Sequence, residues 1–284
     1  MSNNPVFSRI DRESERGYAG FRQAPQAATA SAATDSLSAQ QLQEMYNRPS
    51  AGPVETKRLT IDDVVMKTVG LFAVVLVFAA LGWVLPVDVQ LVALLGGVAA
   101  TLVLGLVIAF RKTISVPLIV LYAMAEGVFV GVISNSYADA FYQPGQDTLF
   151  QGIVPQAVTG TLAVFVGMLL AYKTGLVRVT DKFRRIVTLA VMGYAIFALV
   201  NFVYAIVAHQ PFGLGGTSAL GFGISLFAIG LASMMLAVDF DSIDRAIAAG
   251  APEKYSWLLA HGLVVTLVWL YLEILRLLGR LRSN

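Results

Sequence analysis

Residues 114–134 read ISVPLIVLYAMAEGVFVGVIS, and in these twenty-one positions Glu126 is the sole charged residue. About 20 consecutive apolar residues form a helix long enough to cross about 30 Å of hydrocarbon. A strand of a membrane barrel would instead alternate polar and apolar residues over about ten positions. The run is therefore a membrane helix that carries an acid. An ionisable side chain in such a helix costs about 2.5–3.5 kcal/mol on the insertion scale, so it faces protein or water rather than lipid. Acid chemistry inside a membrane becomes the first hypothesis.

Six further runs share this character: Val69 to Leu85, Val89 to Phe110, Ile153 to Tyr172, Ile186 to Ala208, Ala219 to Val238 and Trp257 to Leu275. The last contains a second acid, Glu273. Hydrophobic residues make up 57% of the chain and charged residues 13%, about half the charge of a soluble domain. The expected fold is an all-α membrane protein of seven transmembrane helices. A net charge of +2 gives no reason to expect a nucleic-acid partner. The absence of cysteine excludes disulfides and thiolate chemistry.

Residues 1–59 differ in kind, being rich in Ala, Ser, Gln, Pro and Arg with little apolar periodicity. They read as a disordered tail in which Tyr18, Phe21 and Tyr46 are scattered aromatics. Thr60 followed by Asp63 resembles a capping box, so the seven-helix domain is expected to span 60–284.

Basic residues in the short connections set the expected orientation. Lys57, Arg58 and Lys67 precede the first helix, Arg111 and Lys112 follow the second, and Lys173, Arg178, Lys182, Arg184 and Arg185 follow the fourth. These ends are expected in the cytoplasm, with the connections 86–88, 135–152 and 209–216 outside. The expected location is the plasma membrane, with a cytoplasmic N-terminus. Seven crossings put the C-terminus outside, whereas Arg276, Arg280 and Arg282 favour the cytoplasm. Either the earlier connections outvote them or the seventh segment does not fully cross.

After the sixth run come Asp239, Asp241, Asp244 and Arg245, then Gly250 and Pro252 as a helix stop near Ala249. One reading is a solvated helix end with Asp241 paired to Arg245 at i,i+4. The other makes Asp239 or Asp241 a gate at the mouth of a cavity.

Three segments in this order resemble the Bax inhibitor-1 family of transmembrane proteins, and the chain looks like a bacterial member: Glu126-Gly127-Val128-Phe129-Val130-Gly131, Asp239-Phe240-Asp241 and Leu270-Tyr271-Leu272-Glu273. The resemblance runs from about residue 60 to the end. It implies a seven-helix fold with the last helix central. It also implies a pH-dependent calcium leak sensed by an acid pair on the sixth and seventh helices, or a link to the membrane's quality-control protease. By resemblance Asp241 is the sixth-helix acid. Its partner is Glu273 if the Leu-Tyr-Leu-Glu segment is matched, or Thr266, with no acid there, if Arg276 and Gly279 are the anchors.

Helix rise separates the candidates. With the seventh helix starting near Trp257, Glu273 lies about 24 Å further on, too far to share a proton with Asp241. His261, about 6 Å from that start, is better placed to meet Asp239 or Asp241, unless it is only an interfacial residue. Glu126 sits about 18 Å into the membrane, where its charged form is costly. It suits either proton-coupled function or a neutral hydrogen bond to Asn201 or Tyr204. Ala123, Gly127 and Gly131 form a small-residue face for close packing.

No enzyme motif is found, and His209 and His261 are the only histidines. No enzymatic activity and no cofactor are expected. Three functions remain: a pH-sensitive cation leak, most readily for calcium, since carboxylates supply the hard oxygens that calcium takes; a regulatory protein offering its tail to a membrane protease; and a proton-coupled transporter.

Overall fold

The computed structural model describes residues 57–142, 151–210 and 212–283. The tail up to residue 56, with Tyr18, Phe21 and Tyr46, lies outside the described residues, as do 143–150 of the connection expected outside. Seven helices follow: α1 (Ile61–Trp83), α2 (Val87–Phe110), α3 (Val116–Ala140), α4 (Ile153–Lys173), α5 (Asp181–Val207), α6 (Ala219–Ala248) and α7 (Tyr255–Arg282). All seven are long and apolar enough to cross a membrane. The described helices overrun the apolar runs at several ends. α3 continues six residues past Ser134, because its polar last turn still satisfies its own backbone.

Local chemistry sets the boundaries. Thr60 Oγ1 accepts from the Asp63 amide at 3.2 Å, and Asp63 Oδ2 accepts from the Thr60 amide at 3.0 Å, completing the capping box at α1. Thr180 caps α5 by accepting from the Phe183 amide. Gly250, at φ +65, takes the left-handed conformation that ends α6.

α7 is the most buried helix, with Leu270 and Leu275 fully enclosed. It packs on α1, α3, α4 and α6, and Tyr194 of α5 reaches it through its side chain. α2 lies against α3, with Gly97 its one buried residue, and α5 lies against α6. Lipid tails are as apolar as leucine, so helices associate in a membrane through close packing rather than hydrophobic burial. The small-residue face of α3 does this work against α1. A Cβ on Gly127 would stand 2.6 Å from the Val75 carbonyl oxygen, and one on Gly131 would overlap the Ala79 carbonyl.

Two contacts decide which helix ends share a side. The Leu59 amide donates to the Ala251 carbonyl at 2.8 Å and Leu59 is buried, so the start of α1 lies beside the α6–α7 loop. At the other end, Arg282 donates to the Phe141 and Gln151 carbonyls, so α7 ends beside the α3–α4 connection. α7, at about 42 Å, therefore runs from one end of the bundle to the other and is long enough to cross a membrane. Of the two explanations for the C-terminal arginines, this length favours the full crossing.

Candidate functional site

α5, α6 and α7 bring the acids of the last two helices onto two levels. At the inner level Thr266 Oγ1 donates to Asp239 Oδ2 at 2.7 Å, joining α7 to α6. Two residues further along α6, Asp241 lies between two guanidiniums. Arg184 of α5 donates to Asp241 Oδ2, and Arg245 pairs with the same oxygen at 2.8 Å. Arg245 also pairs with Asp181 at 2.9 Å, while Tyr172 of α4 donates to Asp244 at 2.9 Å. The i,i+4 pair of Asp241 with Arg245 thus forms, but as part of a network that ties α5 to α6. The Arg184 Nε is buried and has no hydrogen-bond partner among the described residues.

Glu273 occupies a separate site. The Tyr194 hydroxyl donates to its Oε1 at 2.6 Å, Trp269 Nε1 donates at 3.3 Å, and Arg276 Nη1 donates to both carboxylate oxygens at 3.0 and 2.9 Å. Thr266 faces Asp239, and Glu273 is seven residues further along α7 while Asp241 is two residues the other way. At 1.5 Å per residue the two acids are about 13 Å apart along the bundle. The α7 residue that faces the sixth-helix acid is therefore Thr266, and the acid it faces is Asp239 rather than Asp241.

Glu126 and His261 form a third cluster. Glu126 is 4% exposed, its Oε1 accepts from the Tyr122 hydroxyl at 3.2 Å, and its Oε2 is without a partner among the described residues. The His261 ring lies against Tyr122 at a centroid distance of 4.5 Å and an angle of 87°. Histidine thus meets the phenol that serves Glu126, where sequence had offered Asp239 or Asp241. The expected partners of Glu126 are engaged or turned away: Asn201 accepts from the Leu214 amide at 2.6 Å, and Tyr204 is exposed on the bundle surface.

Sequence reasoning missed Arg280, which is 1% exposed. Its Nε donates to the Gly216 carbonyl at 2.9 Å, its Nη2 to the Phe212 carbonyl at 3.2 Å and its Nη1 to Ser225 Oγ, pinning the α5–α6 connection to α7. The signal was present, since Glu273, Arg276 and Arg280 at i, i+3 and i+7 share one helix face. Among the described residues no group of three or more histidines and acids could hold a metal ion.

A family model described as Bax inhibitor 1 like matches residues 4–283. No curated protein matches the chain. The match begins far ahead of residue 60, so the likeness takes in most of the tail that the resemblance had left aside. Because it runs almost end to end, the chain belongs to the Bax inhibitor 1 like family of integral membrane proteins.

Proposed function

We propose that the protein is a pH-sensitive cation leak, most readily for calcium, in which Asp239 is the titrating acid and the Arg184–Asp241–Arg245 network is the lock. The observation that carries this reading is the company of Asp239. Its hydrogen bond comes from the neutral Thr266 hydroxyl, while Arg184, which holds Asp241 two residues along α6, has a buried N–H without a partner among the described residues. Losing the charge on Asp239 forfeits no ion pair. Gaining it draws on the same guanidinium that holds Asp241, so the charge state of Asp239 changes the balance of the α5–α6 contact. A carboxylate also offers hard oxygen to a passing cation. The α6–α7 loop side is taken as cytoplasmic and the membrane as the plasma membrane, on the basic residues of the connections on that side. The reading requires no enzymatic step.

Calcium flux into liposomes at several pH values tests it. Asp239→Asn is expected to flatten the pH response, and Arg184→Gln to alter flux at every pH. Unchanged flux and pH response in both variants would refute the leak. A second reading, regulation of a membrane protease through the tail, is favoured by the extension of the family match to residue 4. It expects tail deletion to change protein turnover in cells while flux is unaffected.

A further inference from the structure

Glu126 takes no part in the α5–α6–α7 arrangement, yet it has the features of a site. It is 4% exposed with one carboxylate oxygen bonded and the other bare. A buried polar atom without a partner costs on the order of 1–3 kcal/mol, and an ionised one more, so a bare carboxylate oxygen at this depth calls for a ligand. The surroundings narrow its chemistry. α3 packs on α1, α2, α4 and α7. The charged residues of α1, α2 and α4 are Asp62, Asp63, Lys67, Asp88 and Lys173, all within the first two turns or the last turn of their helices, and Lys67 is engaged by Glu253 and Trp257. α1, α2 and α4 therefore present no counter-charge at the level of Glu126. From α7 the titratable neighbours are His261, which touches Tyr122, and further along Tyr271, bonded to Ser134, and Glu273, held by Arg276. No set of residues suited to a metal forms there. The smallest cation remains.

We propose that Glu126 is a proton-binding site in its own right, reached from the α6–α7 loop side past Tyr122 and His261. Tyr122 lies about 9 Å along α3 from its first residue and His261 about 9 Å along α7, while Glu126 lies about 15 Å along α3, one turn deeper. The pair thus stands between the loop side and the acid. Loading forms an O–H bond at Oε2 with a proton delivered by water from that side. Tyr122 keeps its own proton and donates to Oε1 before and after. His261 is a positioning residue, its ring holding the phenol against the carboxyl.

Infrared spectroscopy of the full-length protein in liposomes, titrated in pH and exchanged into deuterium oxide, tests this without any measurement of flux, so its outcome is separate from that of the leak. The wild type is expected to show a protonated carboxyl band that Glu126→Gln removes and Asp239→Asn leaves. Tyr122→Phe, which removes the hydrogen bond but keeps the ring, is expected to move that band to higher wavenumber. His261→Phe is expected to keep the band and change its deuterium exchange rate by about threefold or more. A band absent at every pH, or indifferent to Glu126→Gln and Tyr122→Phe, overturns the site. Exchange that is the same in wild type, Tyr122→Phe and His261→Phe overturns the route.

Discussion

Asp239 and Asp241 stand two residues apart on one helix and have opposite company. Asp241, about two turns before the end of α6, is bound by guanidiniums from α5 and from its own helix, whereas Asp239 receives a hydroxyl from α7. The same division separates Glu273, which Arg276 grips through both oxygens, from Glu126, which a tyrosine serves through one. It separates the arginines as well: Arg184, Arg245 and Arg276 meet carboxylates, while Arg280 donates to carbonyls and a hydroxyl. Charge paired with charge fastens helices together. Charge set against neutral groups is where a proton or an ion can change something at small structural cost.

The largest effect expected is all-or-none and concerns arginines that donate to carbonyls. Arg280 and Arg282 are bound to the protein and so do not act as free headgroup-facing charges. Since the chain has no cysteine, single cysteines report cleanly on sides. In intact cells Ser283→Cys is expected to label with an impermeant thiol reagent as Ser136→Cys does, and opposite to Thr180→Cys. Labelling of Ser283→Cys together with Thr180→Cys would show that α7 does not cross.

Next comes the lock. Arg184→Gln leaves Asp241 short of one of its two cations in a largely buried setting, and removing one member of a buried pair costs about 3 kcal/mol. Unfolding in detergent is expected to show that loss, with Asp241→Asn added to Arg184→Gln recovering part of it. A double variant no better than the single one would mean the charges are not coupled. Arg276→Gln is expected to cost less, about 2 kcal/mol, because the Arg276 side chain is 30% exposed and Tyr194 and Trp269 still donate to Glu273.

The smallest stability effect belongs to the hydroxyl-served acid. Thr266→Val removes one hydrogen bond to Asp239, worth about 1 kcal/mol, and Asp239→Asn keeps an acceptor for Thr266 and costs no more. The contrast lies in function, where Asp239→Asn is expected to flatten the pH response of flux and Asp241→Asn to do so less. If Asp241→Asn flattens the response and Asp239→Asn does not, the roles drawn from their partners are reversed.

Much of the fold was legible because lipid imposes a simple rule: a span must be apolar over about 20 residues and must satisfy its own backbone. Seven runs of that kind, the Thr60–Asp63 cap, the stop at Gly250 and the small face of Gly127 and Gly131 are local features, and local features can be read from a single chain. Glu126 and the acids of α6 were legible too, because a charge in an apolar run stands out. Their partners were not. Whether Asp239 faces Thr266, whether His261 reaches an acid or a tyrosine, and whether Arg280 turns toward lipid or into the bundle depend on how each helix is rotated and how deep it sits against its neighbours. A helix that is apolar all round gives little sign of its own inward face, so the sequence determined which charges lie within the membrane and the tertiary packing alone decided which of them meet.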